Sequence, residues 1–250
     1  MNSFIVGEGK PVIVLHEWLG DHRNWLPVFD HCTGSGYEFH CVDLPGYGMS
    51  RDVSIEPTIS TISTQVLDYA VQHNIDSFSL VVHSMSGLIG HHLGIIAPQR
   101  IEAILYFCPV PPSGFKASED IIKKLQLISH DSRALKEAIL DRGGHVESED
   151  WVKRKMYIAS TASLPETKLS YLDLFLSPIA PSPQKTLFTN ATVLTGTIDL
   201  PFYRKDSLNE EFSGFYSEFN LVSLDGCGHY PMLQNSLHTS NALLKYLDKK

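Results

Sequence analysis

The stretch Val82-His83-Ser84-Met85-Ser86-Gly87 decides the fold, because it joins two segments with different patterns. Before it, residues 78–82 are a short apolar run, which predicts a strand buried on both faces of a sheet. After it, residues 87–97 are predicted to form a helix. A strand that passes at once into a helix is the repeating unit of a parallel sheet covered by helices.

The same alternation extends along the chain in both directions. Short apolar runs predict further strands, and longer segments with apolar residues three or four apart predict further helices. The predicted strands are 11–15, 37–42, 78–82, 101–108, 191–195 and 219–224, and the predicted helices outside the middle of the chain are 56–73, 87–97 and 231–248.

The pattern changes in the middle of the chain. Between residues 116 and 177 no strand is predicted, and four apolar stripes at helical spacing predict four helices. Proline clusters at 109–112 and 178–183 bound this stretch. We therefore predict an α/β fold, in which a mostly parallel sheet has helices on both faces and is interrupted by an inserted all-helical cap. The predicted core is 1–110 and 184–250, and the predicted cap is 111–183.

Composition narrows the class of protein. Among 250 residues, 20 Lys and Arg stand against 28 Asp and Glu, which gives a formal net charge of −8. That balance offers no basic surface for nucleic acid or an anionic membrane, so we expect neither as a partner. No apolar run reaches the roughly 18 residues that a membrane helix needs. The four widely spaced cysteines are typical of reduced thiols in a cytoplasmic protein.

Ser84 is the candidate nucleophile. It falls at the predicted turn between strand and helix, where a side chain is exposed above the sheet edge and near a helix N-terminus that favours negative charge. Ser86 and Gly87 are small, as such a turn requires, but Val82 stands where glycine is usual. Ser84 as a simple helix cap is the plain alternative. Ser86 is a weaker candidate nucleophile, because the large Leu88 follows it by two residues.

Two later loops supply a candidate base and a candidate acid. His229 lies in a glycine-flanked loop after the last predicted strand, and an imidazole is a general base near neutral pH with little tuning. Asp199 follows the strand 191–195, and its carboxylate there can orient an imidazole. Asp225 competes with Asp199 but lies only four residues before His229. Cys227 is a minor alternative nucleophile, because it does not follow a strand at such a turn.

The order Ser84, Asp199, His229 is the nucleophile–acid–base order of α/β-hydrolases. Over nearly its whole length the chain resembles the α/β-hydrolase-fold serine hydrolases, esterase-like and with a helical cap. The segments that carry the resemblance are the turn at 83–87 and the loops at 43–50, 196–199 and 228–229.

The resemblance also implies an oxyanion hole. The family's loop after an early strand reads His-Gly-aromatic, whereas this chain has His16-Glu17-Trp18. By resemblance, the backbone N–H groups of Trp18 and Met85 bind the developing oxyanion. We expect the Glu17 carboxylate to face solvent; pointing inward, it would disfavour anionic substrates. His16 is expected to hold the loop by hydrogen bonding rather than to catalyse.

These residues predict a serine hydrolase that cleaves a small or medium, mostly apolar carboxylic ester through an acyl-enzyme. Two alternatives stay open: carbon–carbon bond hydrolysis of diketones by the same triad, and non-catalytic ligand binding. The expected partner is a small-molecule substrate, and no cofactor or metal is expected, since no histidine pair has zinc spacing. The sequence does not indicate an oligomeric state. The candidate pocket residues are Trp18, Trp25, Trp151, Met156, Tyr157, Tyr171 and Phe175.

Overall fold

A computed structural model describes residues 1–176 and 190–249 of the protein. Seven strands form one sheet in the order β1-β3-β2-β4-β5-β6-β7, and every neighbouring pair is parallel except β1 with β3. The carboxyl ends of the parallel strands therefore share one edge of the sheet. The strands are β1 (Ser3–Gly7), β2 (Lys10–Leu15), β3 (Tyr37–Val42), β4 (Phe78–His83), β5 (Ile101–Phe107), β6 (Ala191–Gly196) and β7 (Asn220–Leu224).

An apolar core lies on each face of the sheet, because successive side chains of a strand point to opposite sides. In β2, Ile13 and Leu15 belong to one core, while Val12 and Val14 belong to the other. The predicted fold class, a mostly parallel sheet with helices on both faces, is confirmed. The first core includes α2 (Ile59–Gln72), α3 (Ser86–Ile96) and α8 (Lys205–Ser213), and the second includes α1 (Leu26–Phe29), α9 (Pro231–Gln234) and α10 (Ser236–Leu247).

In the described part of the chain between β5 and β6 there are four helices, where four apolar stripes predict them. Three begin at a serine or aspartate whose side chain accepts a backbone N–H of the first turn, which stabilises the helix end. The division into core and cap stays a prediction, and its second boundary, with the proline cluster at 178–183, lies outside the described residues. The four helices are α4 (Glu119–Ile128), α5 (Ser132–Gly143), α6 (Glu149–Thr161) and α7 (Pro165–Leu176).

Four of the described elements differ from the sequence prediction, and the first is the single-turn helix α1, which was not predicted. The strand β1 was not predicted, because this short edge strand pairs on one side only and has no clear alternation of buried residues. Helix α8 was missed, because only Leu208 and Phe212 are buried in it. The predicted helix 231–248 is two helices, since Asn235 leaves helical geometry and its side chain accepts the His238 N–H that begins α10.

Candidate active site

Ser84 sits on a strained turn at the sheet edge. Its φ is +53°, a left-handed conformation that costs a non-glycine residue about 1–3 kcal/mol. Neighbouring backbone holds the turn: the Ser84 N–H donates to Phe107 O at 3.0 Å, and Ser84 O accepts from Val110 N at 2.8 Å. Gly87 is required there, because a Cβ atom at that position would lie 2.6 Å from Val110 O. The strain is thus imposed by β5 and the loop after it.

The structure brings the three predicted triad residues together in one chain of hydrogen bonds. Ser84 Oγ lies 2.8 Å from His229 Nε2, and His229 Nδ1 lies 2.8 Å from Asp199 Oδ2. Because a carboxylate only accepts, the imidazole proton lies on Nδ1 and leaves Nε2 free to accept the serine hydroxyl. Leu200 N donates to the other Asp199 oxygen at 2.6 Å. Asp199 and His229 are almost fully buried, while Ser84 keeps 7% of its surface exposed.

The loop that carries His229 is fixed from both sides. Its backbone N–H donates to Arg142 O at the end of α5, at 2.8 Å. The His83 ring donates from Nε2 to His229 O at 2.7 Å. Burial and the neighbouring His229 lower the pKa of His83 to about 3, so His83 acts as a neutral donor. Gly228 allows the close approach, since a Cβ atom there would lie 2.3 Å from Arg142 O.

The competing residues are placed elsewhere or are already bonded. The Ser86 hydroxyl is buried and donates to His16 O at 2.5 Å. Asp225 is exposed. Cys227 is buried, and that burial raises the pKa of its thiol to about 11, which keeps it protonated. Among the candidate nucleophiles and acids, the geometry therefore favours Ser84 and Asp199, which are joined by hydrogen bonds through His229.

The expectation that Glu17 faces solvent is wrong. Its side chain is buried, with Oε1 accepting from Lys155 Nζ at 2.7 Å and from Asn24 Nδ2 at 3.0 Å. Oε2 accepts the Leu19 backbone N–H. Burial opposes the charge on Glu17, but the Lys155 ammonium and the hydrogen bonds from Lys155 and Leu19 together lower the pKa of Glu17 to about 2. Glu17 is therefore an ionised carboxylate whose charge is neutralised inside the protein.

Lys155 connects helix α6 to the loop at 16–20. Its buried ammonium also donates to Leu19 O at 2.8 Å and lies 4.5 Å from the centre of the Tyr230 ring. Helix α7 makes a second connection, because Trp18 Nε1 donates to Lys168 O at 2.8 Å. Helices α6 and α7 therefore both contact this loop directly.

His16 holds the same loop from the core side, as expected. Its Nδ1 donates to Glu17 O at 2.8 Å, and its Nε2 accepts the Leu44 N–H at 3.1 Å. The backbone N–H groups of Trp18 and Met85 have no hydrogen-bond partner among residues 1–176 and 190–249. Both residues line the same cavity as Ser84. Two N–H groups without a partner among the described residues therefore belong to residues that line the cavity with Ser84.

The cavity above Ser84 holds about 430 Å³ of empty space, counted with its open mouth. Of the seven candidate pocket residues, Trp18 and Phe175 line it and the other five do not. The sequence analysis missed Tyr203, whose ring centre is 4.4 Å from that of His229. It lies in the short 3₁₀ helix Pro201–Tyr203 after Asp199, whose direction the sequence does not indicate. The lining is Glu17, Trp18, Leu19, Ser84, Met85, Val110, Phe115, Leu125, Arg142, Phe175, Leu200, Tyr203 and His229.

Among the residues that the structure describes, two clusters have the donor atoms for a metal ion, with ligand atoms within 4.8 Å of one another: Cys108 with Asp199 and His229, and Asp21 with His22 and Asp43. In the first, burial raises the pKa of Cys108 well above its usual value, which keeps the thiol protonated and a poor ligand. In the second, Asp43 already accepts His22 Nδ1 at 2.7 Å. In both clusters a side-chain hydrogen bond joins two loops: His229 with Asp199 in the first, and His22 with Asp43 in the second.

Residues 12–237 match the alpha/beta hydrolase family, and the chain belongs to it. The pimeloyl-[acyl-carrier protein] methyl ester esterase of Aliivibrio salmonicida is 28% identical over 200 residues, which cover 78% of this chain and 68% of that protein. The dihydrolipoyllysine-residue acetyltransferase component of the acetoin cleaving system of Cupriavidus necator is 30% identical over 104 residues, 42% of this chain and 28% of that protein.

Solved structures share the fold. The esterase of Exiguobacterium antarcticum superposes with a TM-score of 0.86 at 16% identity, covering 99% of this chain and 95% of that one. The chain spans less than half the length of the first curated relatives that it matches, at 28%, 16% and 40%. Of the helices that the structure describes, none has the length and apolar character needed to cross a bilayer.

Proposed function

We propose that this protein is a serine hydrolase that cleaves a small or medium, mostly apolar carboxylic ester through an acyl-enzyme. The observation that carries the proposal is the chain of two 2.8 Å hydrogen bonds from Ser84 through His229 to Asp199. A serine hydroxyl is a weak nucleophile unless a positioned base removes its proton. This arrangement supplies that base, and both Ser84 and His229 line one cavity.

In the proposed mechanism, Ser84 Oγ attacks the ester carbonyl carbon while His229 Nε2 takes the hydroxyl proton. Asp199 holds the imidazole by Nδ1 and stabilises the imidazolium that forms, without itself becoming protonated. The imidazolium then gives its proton to the leaving alcohol. Water, deprotonated by the same nitrogen, attacks the acyl-enzyme and releases the acid and the free serine.

The backbone N–H groups of Trp18 and Met85 are the proposed oxyanion hole. Each such donor contributes about 3–4 kcal/mol to transition-state stabilisation, because it is fixed before the charge develops. In support, both residues line the cavity with Ser84, and neither N–H is used by another described residue. Glu17, Lys155 and His16 hold the loop that carries Trp18.

The lining of the cavity supports the substrate class. Apolar side chains from core and cap surround the serine, among them Met85, Phe115, Leu125 and Phe175. Such walls favour an apolar acyl or alkyl chain. The relatives and fold neighbours named as esterases point the same way. We also propose that the substrate is a small molecule, that neither nucleic acid nor a membrane is a partner, and that the protein is cytoplasmic.

A panel of neutral methyl and 4-nitrophenyl esters beside a diketone tests the proposal. We expect turnover of the esters, and turnover that favours the diketone would assign carbon–carbon bond hydrolysis instead. A protein that binds these compounds without converting any of them would be a binding protein. The matched control is Ser84→Ala, in which the pocket remains but the nucleophile is removed.

A further inference from the structure

Some of the charged side chains that line the cavity have a partner of opposite charge, and one does not. Apart from the proposed nucleophile, four lining residues carry ionisable side chains: Glu17, Arg142, Tyr203 and His229. Glu17 is neutralised by Lys155 at 2.7 Å, and burial raises the pKa of Tyr203, which keeps its phenol neutral. His229 is paired with Asp199. Arg142 is left as a charge on the wall that its neighbours do not neutralise.

Arg142 forms no ion pair with any carboxylate in the described part of the chain. The residues outside the described ranges include no Asp or Glu. Its Nη1 donates to Ala138 O, one turn earlier in α5, at 3.1 Å. Since a guanidinium has five N–H donors, most of them remain available to a ligand.

The position of Arg142 is fixed relative to the proposed base. Its backbone carbonyl accepts the His229 N–H at 2.8 Å, so α5 and the His229 loop are joined at this point. Its charge also acts on Tyr203 and Tyr230, where it opposes the rise that burial gives to the pKa of each phenol. The arginine therefore lies beside the reaction centre and on the cap side of it.

We infer that Arg142 is a binding subsite for a carboxylate at the far end of an ester's apolar chain. This inference rests on the proposed function and makes it narrower: the substrate is an ester of a dicarboxylic acid, or of a hydroxy acid, rather than a neutral ester. A guanidinium binds a carboxylate with two parallel hydrogen bonds, which fixes the orientation of the chain. Glu17 does not repel such an anion, because its charge is already paired with Lys155.

Two pairs of esters test the inference, each differing only by a terminal methyl replaced with a carboxylate. Methyl hexanoate and monomethyl adipate place the carboxylate on the acyl side. Butyl acetate and 4-acetoxybutanoate place it on the alcohol side. For at least one pair, Arg142→Gln should lower the ratio of kcat/KM for the anionic ester to that for the neutral ester by roughly 10- to 100-fold. The affected pair identifies the side of the ester that Arg142 binds.

Two further variants make the result specific. Arg133→Gln removes a charge from the same helix, on a side chain that is 89% exposed, and should leave both ratios unchanged. Arg142→Lys keeps the charge without the planar fork and should give an intermediate ratio. If Arg142→Gln leaves both ratios as in the wild type, the subsite is wrong while ester hydrolysis stands.

A binding measurement separates failure of the subsite from failure of the function. Calorimetry with monomethyl adipate and 4-acetoxybutanoate compares Ser84→Ala with the double variant Ser84→Ala, Arg142→Gln, since neither protein turns the ester over. We expect at least ~10-fold weaker binding of one ester by the double variant. Equal binding of both esters overturns the subsite, whatever the wild type hydrolyses. Wild-type protein that hydrolyses none of the four esters overturns the proposed function instead.

Discussion

The sheet edge and the predicted cap, which holds helices α4 to α7, contribute to the site in different ways. Ser84, Asp199 and His229 follow the carboxyl ends of β4, β6 and β7, and the hydrogen bonds that orient their side chains join them to one another or to adjacent backbone. The predicted cap instead contacts the other loops of the site through a long side chain and through the end of a helix. Lys155 reaches the loop at 16–20, and α5 ends against the His229 loop. We infer that the sheet places the reacting groups, and that the cap fixes the loops around them.

The largest expected effect is on the sheet side. Ser84→Ala should lower turnover of an activated ester by roughly four to six decades, because the hydroxyl proposed to form the acyl-enzyme is then missing. Steady-state kinetics with a 4-nitrophenyl ester measures it. Ser86→Ala is the matched control and should cost less than about tenfold, since that hydroxyl is bonded to His16 O. Near-wild-type hydrolysis by Ser84→Ala would refute the nucleophile.

A second change on the sheet side should act through the base. Asp199→Asn should lower kcat by roughly four decades, because an amide no longer favours the imidazole tautomer with its proton on Nδ1. The same assay measures it, with circular dichroism to show that the fold is kept. Asp225→Asn is the control at the exposed competing carboxylate. A larger loss of kcat in Asp225→Asn than in Asp199→Asn would make Asp225 the acid of the triad instead of Asp199.

A substitution in the predicted cap should mainly change the stability of the protein. Lys155→Met leaves the Glu17 carboxylate buried without its partner, which costs about 3–5 kcal/mol of unfolding free energy. Chemical denaturation measures that loss. Adding Glu17→Gln to Lys155→Met should recover part of it, because the unpaired charge is then removed. If Lys155→Met alone is as stable as the wild type, the cap is not held through this ion pair.

The smallest expected effect is a pH dependence. The pKa of Glu17 is lowered from 4.5 to about 2, so its ionised form stabilises the folded protein above about pH 4.5. That stabilisation is lost as the pH falls through 4.5 toward 2. In Glu17→Gln the unfolding free energy should therefore fall less steeply across this range. Denaturation curves at several acidic pH values measure the slope, and equal slopes would contradict the paired carboxylate.

The sheet side of the site could be predicted from sequence, and the cap side could not. Ser84, Asp199 and His229 each follow a strand with a clear apolar pattern, so their meeting at one edge follows from parallel pairing. Lys155 and Arg142 lie on amphipathic helices whose orientation depends on tertiary packing. Nothing in their spacing shows that Lys155 is buried or that Arg142 lines the cavity. For the same reason the direction of Glu17 was predicted wrongly, since its partner lies 138 residues away.

The claim that Ser84 is activated by His229 is tested most directly by the site and rate of covalent labelling. The protein and its His229→Ala variant are treated with a fluorophosphonate, and the modified peptide is identified by mass spectrometry. We predict that Ser84 of the wild type is labelled and that labelling is largely lost in His229→Ala. Modification at another residue, or Ser84 labelled equally fast in both proteins, would contradict the account.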